Sequence, residues 1–188
     1  PWALPLYDGS IRLFDTAPAS PKREFIGHTS GVYTVAVAPD GTHFWSGGYD
    51  RTLRYWSIDS SGPITEFKGH SQSINDIAIH ADKVATASDD RMVRLFRFDG
   101  TALGEPIEFE GHYKQVTAVA FSADAKTLYS GARDETVRIW DAATGRLIAQ
   151  TPDKTGRVHT LVVHDGLLSS GSDSWAEVPI AVRYFRRP

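Results

Sequence analysis

Apolar residues in this chain gather in short, β-branched runs: Val32–Val37, Ile74–Ile79, Val116–Phe121 and Val158–Val163. A cluster of turn residues closes each run. These are Pro39-Asp40-Gly41, His80-Ala81-Asp82, Ser122-Ala123-Asp124 and His164-Asp165-Gly166. Each run predicts a strand. A second strand then leads to a tight turn at an aspartate, and a third carries an arginine and an aromatic residue. After loops such as Asp141-Ala142-Ala143-Thr144-Gly145, a fourth strand runs into the next unit.

The units repeat in register. Gly-His occurs at Gly27-His28, Gly69-His70 and Gly111-His112, in two steps of 42 residues. A second mark is an Asp followed by an apolar residue, Arg, an apolar residue and an aromatic. It reads Asp8…Ile11-Arg12-Leu13-Phe14, Asp50…Leu53-Arg54-Tyr55-Trp56, Asp90…Val93-Arg94-Leu95-Phe96 and Asp134…Val137-Arg138-Ile139-Trp140. In all four copies Asp and aromatic lie six residues apart; a looser fifth copy, Asp173…Val182-Arg183-Tyr184-Phe185, spans twelve.

Four short strands per roughly 40–45 residues, marked by Gly-His and Trp-Asp, are the signature of a propeller blade. The chain resembles the WD-repeat β-propeller family, whose namesake dipeptide stands at Trp140-Asp141; Phe14-Asp15, Trp56-Ser57 and Phe96-Arg97 are variants. The resemblance implies an all-β propeller segment of four-stranded antiparallel blades, in a ring that usually has seven. Lettering strands a to d from the channel outward gives a partial blade at 1–26 and full blades at 27–68, 69–110 and 111–153. An incomplete blade follows at 154–188. Its missing strand d could come from Arg23–Ile26, but that strand already neighbours its own strand c, Ile11–Phe14. Simple closure fails, so a piece of a larger ring is expected.

Composition narrows the chemistry. Of 188 residues 41% are apolar and 23% charged, as in a globular protein, and none is cysteine. A disulfide framework, a zinc-thiolate site and a thiol nucleophile are therefore excluded. The net charge of −3 argues against general attraction to nucleic acid or anionic membrane. No apolar run approaches the ~18 residues a membrane span needs, and no signal-peptide pattern is present, so membrane insertion is not expected. The expected location is intracellular, cytoplasmic or nuclear.

Ser, His and Asp recur together: His28, Ser46 and Asp50 with Trp56, and His112, Ser130 and Asp134 with Trp140. One copy would suggest nucleophilic catalysis. Repetition in register favours a structural network in which Asp, His, Ser and Trp satisfy one another. The WD-repeat resemblance implies the same tetrad. The second full blade has His70, Thr86 and Asp90 but ends in Phe96; the last keeps Ser169, with Lys154 in place of His and Phe185 in place of Trp. The strand-c arginines, Arg12, Arg54, Arg94, Arg138 and Arg183, are expected to pair with carboxylates between sheets. No metal, nucleotide or other cofactor motif occurs, and no enzyme is implied.

Positions that vary between repeats carry the functional expectation. By the resemblance, partners dock on the face formed by the loops before strand a and the turns between strands b and c. Tyr33, Asn75, Thr117 and His159 align there, as do Tyr49, Asp89, Arg133 and Ser172, with Gln115 and Arg157 flanking. Trp175, in the six-residue insertion of the last repeat, is a further anchor candidate. The expected function is a non-catalytic scaffold for protein partners within a larger protein or multi-subunit complex. The alternative is a ribonucleoprotein component contacting RNA through Arg133, Arg157, Arg183, Arg186 and Arg187.

Overall fold

The computed structural model describes residues 2–14, 21–60, 62–151, 156–164 and 166–173. Trp175, Lys154, Arg183 and Phe185 lie outside the described residues. Every regular element described is a β-strand, and the strands form five antiparallel sheets in chain order. The first contains β1 (Trp2–Pro5), β2 (Ser10–Phe14) and β3 (Pro21–Ile26). The second contains β4 (Val32–Val37), β5 (His43–Gly48), β6 (Thr52–Ser57) and β7 (Pro63–Lys68). The third contains β8 (Ile74–His80), β9 (Lys83–Ser88), β10 (Val93–Arg97) and β11 (Ile107–Phe109). The fourth contains β12 (Val116–Phe121), β13 (Thr127–Ala132), β14 (Val137–Asp141) and β15 (Leu147–Gln150). The fifth sheet pairs β16 (Arg157–His164) with β17 (Leu167–Asp173).

Burial follows position in the sheet. The second strands β5, β9 and β13 are buried almost throughout, because neighbouring sheets cover both their faces. The outer strands β7 and β15 expose every other residue or all of them. The core is accordingly divided into four clusters, each between two successive sheets. Phe25, Phe44 and Trp56 fill the first and Trp45, Ile74 and Ile77 the second. Val116, Leu128 and Trp140 belong to the third, and Val158, Leu161 and Leu168 to the fourth. Approach is closest where a glycine sits on the second strand: a Cβ on Gly131 would lie 2.4 Å from Val158 Cγ1, and one on Gly47 2.6 Å from Ile74 Cγ2.

Two local devices set the end of the sheets that carries the candidate site. A β-bulge interrupts the pairing of the first two strands at the same place in four sheets, leaving Tyr33, Asn75, Thr117 and His159 as the extra residues. The turns between second and third strands place Arg51, Arg91 and Glu135 at φ of 65°, 73° and 67°, where the first sheet has Gly9 at 87°. The preceding Asp holds each of those three turns by accepting the backbone N–H two residues on, as Asp134 does from Thr136 at 3.1 Å.

Candidate functional site

Three buried networks lie at this end. In the second sheet, Asp50 Oδ2 accepts from His28 Nδ1 at 2.8 Å, Ser46 Oγ meets His28 Nε2 at 2.6 Å, and Trp56 Nε1 donates to Ser46 Oγ at 2.7 Å. The fourth sheet repeats this with His112, Asp134, Ser130 and Trp140 at 2.8, 2.7 and 2.8 Å. In the third sheet His70 contacts Asp90 at 2.9 Å and Thr86 at 2.6 Å, without an indole. Burial raises the Asp134 carboxyl, but hydrogen bonds from His112 and Thr136 outweigh it and hold it at about 2. Burial also lowers His112, more than Asp134 raises it. The pair is thus carboxylate and neutral imidazole: Nδ1–H donates to Asp134 and Nε2 accepts from Ser130. This is also the resting hydrogen-bond order of a catalytic triad, but Ser130 is fully buried and its Oγ accepts from Trp140 Nε1, so the hydroxyl is closed to a substrate. These groups join the second and third strands to the loop before the first.

Outside the networks lies a rim of paired side chains. Tyr33 packs edge-on against Tyr49 at 6.3 Å between centroids and against Tyr7 at 6.2 Å. Tyr7 is 88% exposed, Tyr49 59% and Tyr33 38%. Burial, then the neighbouring Tyr7 and Tyr49 and the Asp89 carboxylate, push the Tyr33 phenol up. Asn75 Nδ2 donates to Asp89 Oδ1 and to the Val116 carbonyl, both at 2.8 Å. Thr117 Oγ1 likewise donates to the Val158 carbonyl. Asn75 and Thr117 therefore tie successive innermost strands together. The Asp76 carboxylate joins them by accepting Val119 N–H at 2.9 Å; burial pushes its pKa up to about 6. His159 Nε2 meets Asp173 at 3.2 Å. Arg133 and Arg157 are exposed, and Gln115, half-buried, accepts Arg133 N–H through its backbone carbonyl at 2.9 Å.

Residues 19–57, 61–97 and 105–141 each match the family model of the WD domain, G-beta repeat, together more than half of the chain. The chain belongs to the WD-repeat family. No curated protein matches it as a relative. In this WD-repeat protein the matched stretches run from one sheet's outer strand through the first three strands of the next.

The WD-repeat register corrects the fifth unit. Val158 pairs with Ser172 and Leu161 with Ser170, as Val116 pairs with Ala132 and Val119 with Ser130. Ser170, buried, therefore stands where Ser46 and Ser130 stand, and Ser169 is one place off. Asp173 is equivalent to Tyr49, Asp89 and Arg133, not to the turn aspartates. The run Ser169-Ser170-Gly171-Ser172-Asp173 reproduces the Ser-to-Asp spacing of four and hides this shift. Tyr7 was missed as a rim residue because it precedes the first complete repeat, although Tyr7-Asp8 mirrors Tyr49-Asp50. Three third-strand arginines face Glu across the sheet: Arg12 meets Glu24 at 3.2 Å, Arg54 meets Glu66 at 2.8 Å and Arg94 meets Glu108 at 2.8 Å. Arg138 faces Gln150 instead, and its buried Nε has no partner among the described residues. Nor, among these, do three His, Asp or Glu side chains converge as metal ligands, and no helix is long and apolar enough to cross a membrane.

Proposed function

We propose that this chain, like WD-repeat domains generally, mediates protein–protein interaction, as a non-catalytic scaffold within a larger protein or complex that docks a protein partner on the rim around Tyr7, Tyr33 and Tyr49. One observation carries the reading: three tyrosines from two successive sheets touch in series while remaining exposed. Tyrosine supplies large, rigid contact area at low ordering cost, and such rings recur as binding anchors. Alternation of Arg133 and Arg157 with Asp89 and Asp173 on the same rim favours a protein surface over a phosphate backbone. An intracellular setting belongs to the same proposal.

The test is quantitative co-purification with the intact protein and its Tyr7→Ala/Tyr33→Ala/Tyr49→Ala variant. Loss of specific partners by roughly tenfold or more, with the melting transition nearly unchanged, is the expected result. Partners retained in full would remove the rim from the reading. Filter binding over a salt titration checks the RNA alternative, where a steep salt dependence would favour phosphate contacts.

A further inference from the structure

At the opposite end of the sheets, the turns following β4 and β8 and the loop following β10 enclose a cleft of about 400 Å³. Its floor is aromatic: Trp45, Tyr55 and Phe98 pack ring against ring, with centroids 4.6 to 4.9 Å apart. Its mouth is acidic, with Asp40, Asp82 and Asp99, and no lysine or arginine is among the lining residues. Asp99 accepts backbone N–H groups from Ala102 and Thr101, which hold its carboxyl below the usual range. Asp40 is raised by desolvation but lowered more by Thr42 and His43, so both carboxylates are charged at neutral pH.

A separate feature points into the same space. Tyr55 is 7% exposed and lines the cleft, yet its hydroxyl has no hydrogen-bond partner among the described residues. The ring is enclosed while the hydroxyl oxygen reaches solvent at the cleft, where it can accept from a bound donor. His43 stacks on the same ring at 5.1 Å, so the ring is held in place.

We propose that this cleft seats an arginine side chain presented by a partner protein. A guanidinium is flat, is weakly hydrated, stacks on aromatic faces and donates in several directions at once. The half-buried Phe98 offers the stacking surface, Asp99 accepts, Tyr55 Oη supplies a second oxygen, and Asp40, whose Oδ2 already meets His43 Nδ1 at 2.7 Å, adds its charge at the mouth. Ile79 lies along the wall where the aliphatic stem would pass. A lysine ammonium, strongly hydrated and without a plane, uses less of this lining. Arg97 already reaches Asp82 from outside the cleft at 2.9 Å and competes for that carboxylate. The site goes beyond the tyrosine rim and shares with it only the premise that the partners are proteins.

The experiment reads the cleft directly, so its failure leaves the rim proposal standing. The intact protein is titrated with N-acetyl-arginine amide and, separately, with its uncharged isostere N-acetyl-citrulline amide, followed by NMR. Saturable shifts at Trp45, Tyr55 and Phe98 are expected, with citrulline binding roughly tenfold weaker. Tyr55→Phe removes one oxygen and keeps the ring, and weakens arginine binding roughly threefold. Arg97→Ala frees Asp82 and tightens it by a similar factor. Equal binding of citrulline, shifts confined to the Tyr33 end, or indifference to both substitutions would each overturn the assignment.

Discussion

Replacing Asp134 with alanine takes the acceptor from His112 Nδ1–H in a site where both side chains are wholly buried. The Thr136 hydroxyl and the Tyr113 and Thr136 N–H groups lose the same partner. The expected cost is about 2–3 kcal/mol, read from denaturant melts. Asp173→Ala, at a rim position with one half-exposed histidine contact, should cost clearly less, and equal losses would contradict the register given above. Asp76 carries the opposite sign. Its folded pKa of about 6 lies above the ordinary value of 3.8, so its contribution is most favourable below pH 4 and is lost as pH rises through 6. Asp50, Asp90 and Asp134 lie below 3.8 and lose their contribution only as the pH falls further, which leaves the window from 4 to 6 to Asp76 among these carboxylates. The stability difference between Asp76→Asn and the parent should therefore shift in favour of the variant by about 2–3 kcal/mol between pH 4 and pH 8. A difference constant with pH would show that the carboxyl titrates normally.

At the scale of the strand and sheet, the spacing of Gly-His and Asp-to-aromatic was enough to place the first four sheets, because the marks sit in the loops and turns that bound their strands. The fifth carries neither in register. The bulges at Tyr33, Asn75, Thr117 and His159 were not legible. A two-residue alternation has no mark for one inserted residue, so these positions read as ordinary strand residues. The carbonyls reached by Asn75 and Thr117 belong to the next sheet, 41 residues on, and no local pattern connects them. The arginine–carboxylate pairing was visible, but its exception was not, since the loops between third and fourth strands vary in length and leave the residue facing each arginine open until the register is known. That exception makes a prediction. Gln150→Glu gives Arg138 the cross-strand partner its three counterparts have, and should stabilise the fourth sheet by about 0.5–1 kcal/mol at low salt. The gain should shrink as salt is added. No change would mean that Arg138 is satisfied by its position over Trp140, at 5.9 Å.

Across the whole molecule, the four core clusters lie between sheets, so each sheet is stabilised through its neighbours as much as by its own hydrogen bonds. The links at the innermost strands run the same way, with Asn75 and Asp76 of β8 bonded to β12, and Thr117 of β12 bonded to β16. Hydrogen exchange on the intact protein should reflect this. Amides of β9 and β13, paired on both edges and covered on both faces, should exchange most slowly. Those of β15, exposed along its length, should exchange fastest among the paired strands of the fourth sheet. A cavity at one interface should then be felt by nearest neighbours first. Val158 is fully buried in the fourth cluster and in contact distance of Gly131 on β13. Val158→Ala should accelerate exchange in β13 and β16 well before β5, two sheets away, because only adjacent sheets share a core. Equal acceleration in β5 and β13 would mean that the sheets open as one cooperative block, and the nearest-neighbour account would give way to global unfolding.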